Sequence, residues 1–229
     1  MMMKAELLNN LGASSLLDGK SKEAYRSFKE ALNVIRDFSA EVLDPNAAAS
    51  TDKHKVNYKP DLGKAMICSQ MPVPGFPSTD FEDGFHVFNG VLDVRFRTTG
   101  DSVKDASMLS AIIVFNLSLI YHQRGIEAHD STKLQKAVVL YSRCMHLSES
   151  ALCWTSNDDS RLLRLAALNN ILHIQKRIGV PALKDTYKLL CETVPDVTAR
   201  PWKRNSEKLI DEIILNVLAF GFVMGAAAA

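Results

Sequence analysis

Three asparagines stand where side-chain amides could do recognition chemistry. Asn10 lies in Leu8-Asn9-Asn10-Leu11 ahead of Gly19, and Asn170 lies in Leu168-Asn169-Asn170-Ile171 ahead of Gly179, at the same offset. Asn116 sits in a comparable apolar run, Phe115-Asn116-Leu117-Ser118. A carboxamide carries both a donor and an acceptor. A row of them can therefore hold the N–H and C=O groups of an extended peptide, or a carboxylate, without reading side chains. The plainer alternative is that these amides bond to neighbouring helices or to water. His173 follows three residues after Asn170 and either faces the same groove or packs inside. Arg177, one turn further on, is with Lys4 and Lys176 a cation that the fold could bring to the row.

Other chemistry has weaker signals. His129-Asp130 has the residue types of a general base and its partner, but adjacent loop residues rarely share a site and no nucleophile sits in a recognisable elbow. Asp158-Asp159 before Arg161 suits a helix N-terminus better than a metal. Cysteines stand at positions 68, 144, 153 and 191 with no C-x-x-C pair, so reduced thiols in a reducing compartment are expected. No phosphate loop, dinucleotide fingerprint or HExxH motif occurs. The expectations are no catalytic residue, no metal, no cofactor and no enzyme activity.

Composition sets the frame. With 47% apolar and 23% charged residues the chain is that of a globular protein, and 27 basic against 26 acidic residues leave a net charge of +1. No basic stripe is present, and the short Arg200–Arg204 cluster is too small to make one, so nucleic acid is not an expected partner. The stretch Met1–Asn10 lacks a signal-peptide core, and an intracellular, cytoplasmic location is expected, with the nucleus left open.

Helical hairpins must position the asparagines. Leu7, Leu8, Leu11, Leu16 and Leu17 recur at helical spacing, Gly19 suits a helix end, and Ser21 opens a second helix with Ala24, Tyr25, Phe28, Ala31, Leu32 and Ile35 on one face. A second copy runs from Phe115 through Tyr121 and Gly125 to Leu134, Ala137, Tyr141 and Cys144, with 126–132 as an insertion between its helices. A third runs from Leu168 through Gly179 to Leu183, Tyr187 and Leu190. A hairpin alone leaves an apolar face bare, so stacking of copies is expected.

These copies resemble tetratricopeptide (TPR) repeats. Leu11, Gly12, Ala24, Phe28 and Ala31 meet the signature in the first; Leu117, Ser118, Tyr121, Ala137, Tyr141 and Cys144 meet it in the second. The third departs, with Leu172 at a small position. The general look is similar to TPR-like proteins of diatoms and their relatives. The resemblance implies a mainly α fold of stacked antiparallel hairpins, with first helices lining a concave groove that holds Asn10, Asn116 and Asn170. TPR domains that capture a chaperone's C-terminal carboxylate add cations one turn before such asparagines. Here those positions are Glu6, Ile112 and Ala166, which argues against that ligand.

The expected single domain divides into repeat one at 4–38, a non-repeat insertion at 39–102, repeat two at 103–151, repeat three at 160–194 and a C-terminal cap at 205–229. Within the insertion, 44–55 has linker composition, Met71–Pro77 excludes helix, and 81–97 is rich in Val and Phe and reads as extended. The C-terminal run from Glu212 to Phe220 is β-branched too. It either pairs with the 81–97 segment as a small sheet or forms a capping helix. Its scant polar face tips the reading toward the sheet. A tail anchor at 213–229 is a weaker alternative.

The functional expectation is a non-enzymatic scaffold or adaptor that binds an extended peptide or partner helix of another protein, with self-association possible. The competing expectation is a small-molecule binder or enzyme whose pocket is closed by 81–96 and 126–132.

Overall fold

The computed structural model describes residues 1–43, 65–77, 79, 84–96, 103–152, 158–199 and 204–226. The expected linker at 44–55 and the Arg200–Trp202–Lys203 part of the basic cluster lie outside them. So do Cys153 and the side chain of Cys68.

The described residues form seven helices and two strands: α1 (Met2–Leu17), α2 (Ser21–Leu43), β1 (Ala65–Pro72), β2 (Gly90–Phe96), α3 (Val103–Glu127), α4 (Ser131–Leu152), α5 (Asp158–Ile178), α6 (Leu183–Thr198) and α7 (Arg204–Ala226). The fold is mainly α. Helices pair as hairpins α1–α2, α3–α4 and α5–α6, and each hairpin packs on the next through α2–α3, α4–α5 and α6–α7. The odd-numbered helices also touch one another in sequence, making an inner layer, and β2 lies against α1 and α3.

One device closes all three hairpins. Gly19 and Gly179 have φ of 74° and 68°, the left-handed conformation that ends a helix. The following amides, Lys20 N–H and Val180 N–H, donate back to Ser15 and Gln175 carbonyls at 2.8 and 3.1 Å. In the second hairpin His129 takes that role with φ 49°, and Asp130 N–H donates to Gly125 C=O at 2.9 Å. The stretch 126–132 is therefore no inserted loop. Helix α3 simply runs about one turn longer, so Gly125 falls inside it, where a Cβ would come within 2.6 Å of the Leu134 side chain. Asp130 is the cap of α4, its carboxylate accepting from the Thr132 and Lys133 amides. His129→Gly relieves the positive φ and is expected to raise stability by about 0.5–1 kcal/mol, seen as a higher Tm.

The core runs through the hairpins. Phe28, Tyr141 and Leu190 from the even helices and Leu16, Phe115, Leu119, Leu163 and Leu165 from the odd ones are wholly or almost wholly buried. Helix α3 is apolar all round because it is covered by α2, α4 and the strands. It is also the one helix, among the described residues, long and apolar enough to cross a membrane; 83% of that stretch is buried inside the protein.

The C-terminal run is corrected here: it is helix, not strand. Among its described side chains Ile210, Ile213, Asn216 and Phe220 are buried, a helical period that the β-branched composition hid. The extended segment finds its partner elsewhere. β2 pairs antiparallel with β1, from Ala65 opposite Phe96 to Pro72 opposite Gly90, with an irregularity between Ile67 and Ser69. That partner comes from within the expected non-repeat insertion.

Candidate strand-binding groove

From the inner faces of α1, α3, α5 and α7 one asparagine each holds both backbone groups of one residue in the segment 86–94, which leads into and includes most of β2. Asn10 accepts from Val94 N–H at 3.1 Å and donates to Val94 C=O at 2.8 Å. Asn116 does the same to Leu92, at 2.9 and 2.9 Å. Asn170 holds Phe88 at 3.0 and 2.8 Å, and Asn216 holds His86 at 2.8 and 2.7 Å. Each amide thus pairs both backbone groups of one residue, as a neighbouring β-strand would. Along the described part of the strand, side-chain amides hold one edge, while β1 and Val73 N–H, bonded to Asn89 C=O at 3.0 Å, hold the other.

The spacing of the rungs follows from two pitches. Only alternate residues turn their N–H and C=O toward the helices, so a rung must fall on an even step. The strand rises about 3.3 Å per residue, whereas packed helices stand roughly 8–10 Å apart, about 2.7 residues on average. The chain resolves this mismatch by stepping from 94 to 92, then to 88, then to 86. The longer middle step passes over Gly90.

A second pair of asparagines braces the rungs. Asn9 donates to Leu92 C=O at 3.2 Å and accepts from Asn116 at 3.0 Å. Asn169 donates to His86 C=O at 2.9 Å and accepts from Asn216 at 2.7 Å. The α1–α3 end and the α5–α7 end therefore repeat one arrangement. Asn9, Asn116, Asn169 and Asn170 are 0% exposed and Asn216 is 3% exposed, so their polar atoms depend on these bonds.

The strand is buried on both faces: Phe85, Val87, Phe88, Val91, Leu92 and Val94 are all in the core, with His86, Asn89 and Asp93 half-buried. Phe88 packs edge-on to Phe115 at 5.5 Å, which in turn meets Tyr141 at 5.3 Å.

The sequence-expected residues fall into place unevenly. Asn10, Asn116 and Asn170 come together on one strand. His173 is 2% exposed beneath that strand, bonded to His122 at 3.0 Å and covered by Phe85. Arg177 is half-buried in the last turn of α5, and its charge bears on His122. Lys176 lies 5.8 Å from the Phe85 ring and 5.7 Å from that of Phe220. Four groups were missed: the bracing Asn9 and Asn169, then Asn216 and His122. Asn216 is the fourth rung; its signal was an asparagine within an apolar run, Leu215-Asn216-Val217, like Phe115-Asn116-Leu117. His122 was passed over because a histidine at a buried helix position carries no mark of its own.

Of the segment 81–96 expected to close a pocket, residues 84–96 are described and 86–94 lie along the asparagine row, and 126–132 forms a helix end, a tight turn and a helix start. Among the described residues no group of three or more His, Cys, Asp and Glu side chains could hold a metal ion. Burial pushes the thiol of Cys144 and the phenol of Tyr141 well up, so neither ionises near neutrality. No family model, no curated protein and no solved structure matches this chain.

Proposed function

We propose that this chain is a non-enzymatic interaction module of the TPR-like kind, whose groove binds an extended strand of another protein in exchange for its own residues 85–94. The single observation that carries the reading is the row of four amides, each pairing both backbone groups of one strand residue. Such a clamp reads main chain, and main chain is common to every peptide. The TPR-like assignment draws support from the three like-turned hairpins and from close helix crossings. A Cβ on Gly12 would lie 2.6 Å from the Phe28 ring.

The partner is a peptide in β-conformation, uncharged where it meets the buried floor. The seated strand carries one charged residue among those described with side chains, Asp93, and it is half-buried. The test is a labelled peptide of residues 84–96 added to the whole protein and to a Leu92→Pro variant, read by fluorescence anisotropy. Leu92→Pro removes the N–H that Asn116 accepts, loosening the resident strand. The expected result is saturable binding, at least tenfold tighter to the Leu92→Pro protein. No binding to either folded protein would make the groove a permanent structural joint and sink the proposal.

A further inference from the structure

The rungs set the odd-numbered helices in a common register, and that register identifies a bare face at one end of the array. Successive residues of a helix turn by about 100°. Asn9 and Asn169, each one residue before a rung, accept from the rung of the next odd helix, Asn116 and Asn216 respectively. The opposite flank of an odd helix therefore looks back at the preceding hairpin. There Tyr121 of α3 meets Tyr25 of α2 at 6.3 Å, and Ser160 of α5 donates to Ser148 C=O of α4 at 3.2 Å.

Three positions lie on that rear flank: seven and three residues before the rung, and one after it. In α3 they are Leu109, Ile113 and Leu117, and in α5 they are Leu163, Ala167 and Ile171. All six are buried, where α2 packs on α3 and α4 on α5. On α1 the same positions are Met3, Leu7 and Leu11, and they are 67%, 63% and 57% exposed. Exposed leucines standing singly are ordinary, but a file of three at i, i+4 and i+8 is a surface. A repeat array normally ends on a polar outer face. Here the end carries the apolar residues of an inner junction.

We propose that this face of α1 binds a second copy of the chain, in a two-fold antiparallel pair centred on Leu7. Met3 of each copy then meets Leu11 of the other and Leu7 meets its own equivalent, so the file is its own complement. The charges agree with this occupant. None of the three positions is charged, and Lys4 flanks the file 3.5 Å from Glu30 of α2. A two-fold axis across the helices brings both α2 edges to one side. Each copy supplies a cation and an anion to that edge, so the seam is balanced rather than repulsive.

The far end of the array offers a poorer match. Leu215 and Leu218 are exposed on α7, but they are two rather than three, and Asp211 is exposed one turn before them. An α1-on-α7 contact would also stack copies head to tail without limit, whereas a two-fold contact uses up its face and stops at two. The face lies outside the strand-binding groove, so the inference stands or falls apart from the groove reading.

The test is sedimentation equilibrium of the whole chain from about 1 to about 100 µM. A reversible monomer–dimer equilibrium with nothing larger is expected. Leu7→Glu and Leu7→Lys, each alone, are expected to weaken the dimer at least a hundredfold and to keep the parent's helical circular dichroism. Mixing the two is expected to restore a dimer, because the axis sets one substitution against the other. Met3→Lys mixed with Leu11→Glu is expected to do the same and serves if a Leu7 variant fails to fold. Leu218→Glu is expected to shift the equilibrium by less than twofold. A chain monomeric throughout, species growing beyond the dimer, a loss on Leu218→Glu equal to that on Leu7→Glu, or folded mixtures that stay monomeric would each overturn the inference.

Discussion

Asn170→Ala is expected to destabilise the protein by about 3–5 kcal/mol, the largest loss from any single rung. The substitution strands the N–H and C=O of Phe88 and takes a partner from Tyr141, all of them buried. An unpaired buried polar group costs about 1–3 kcal/mol, and the lost side-chain volume adds to it. The other rungs have reserves. At Leu92 the carbonyl keeps Asn9 when Asn116 is removed, and at His86 it keeps Asn169 when Asn216 is removed. Asn10 is only half-buried, so water can replace it at Val94. The expected order of loss is Asn170 first, then Asn116 and Asn216, then Asn10 with about 1–2 kcal/mol. Chemical denaturation of the four alanine variants checks both the size and the order.

Leu92→Pro is expected to cost about 3 kcal/mol or more and to act locally. It deletes the amide that donates to Asn116 at 2.9 Å and sets ring atoms against that side chain. The helices keep their own pairings: α1 with α2, α3 with α4, and α5 with α6. The expected signature is therefore loss of amide protection along 86–94 with the helical circular dichroism largely kept. Melting of all helices in one step with the strand would show instead that the segment is an inseparable part of the core.

Much of the framework was legible in the sequence because helical periodicity and helix ends are local signals. The hairpins at Gly19 and Gly179 follow from glycine's access to positive φ. The second hairpin misled because a histidine took that conformation at residue 129, where no glycine marks the turn. The three expected asparagines were legible because a polar amide repeats in an apolar helix face. The ligand was not, since nothing in the residues of 85–94 says that they cross back onto helices more than seventy residues away in either direction. The C-terminal helix was misread for a related reason. Its β-branched residues favour a strand in isolation, and only packing on the inner layer, with Asn216 bonded to Asn169 and His86, settles it as helix. The buried histidine pair depends wholly on tertiary contact, so no local pattern announces it.

Backbone reading by the amide row is tested most directly with N-methylated peptides on the Leu92→Pro protein. Two 84–96 peptides are compared with the unmodified one: one methylated on the Phe88 and Leu92 nitrogens, the other carrying Val87→Ala and Val91→Ala. Methylation removes the two N–H groups that Asn170 and Asn116 accept and leaves the side chains in place. The predicted result is loss of binding by at least a hundredfold on methylation and a loss of tenfold or less on the side-chain changes. Equal binding of the methylated and unmodified peptides would contradict the clamp.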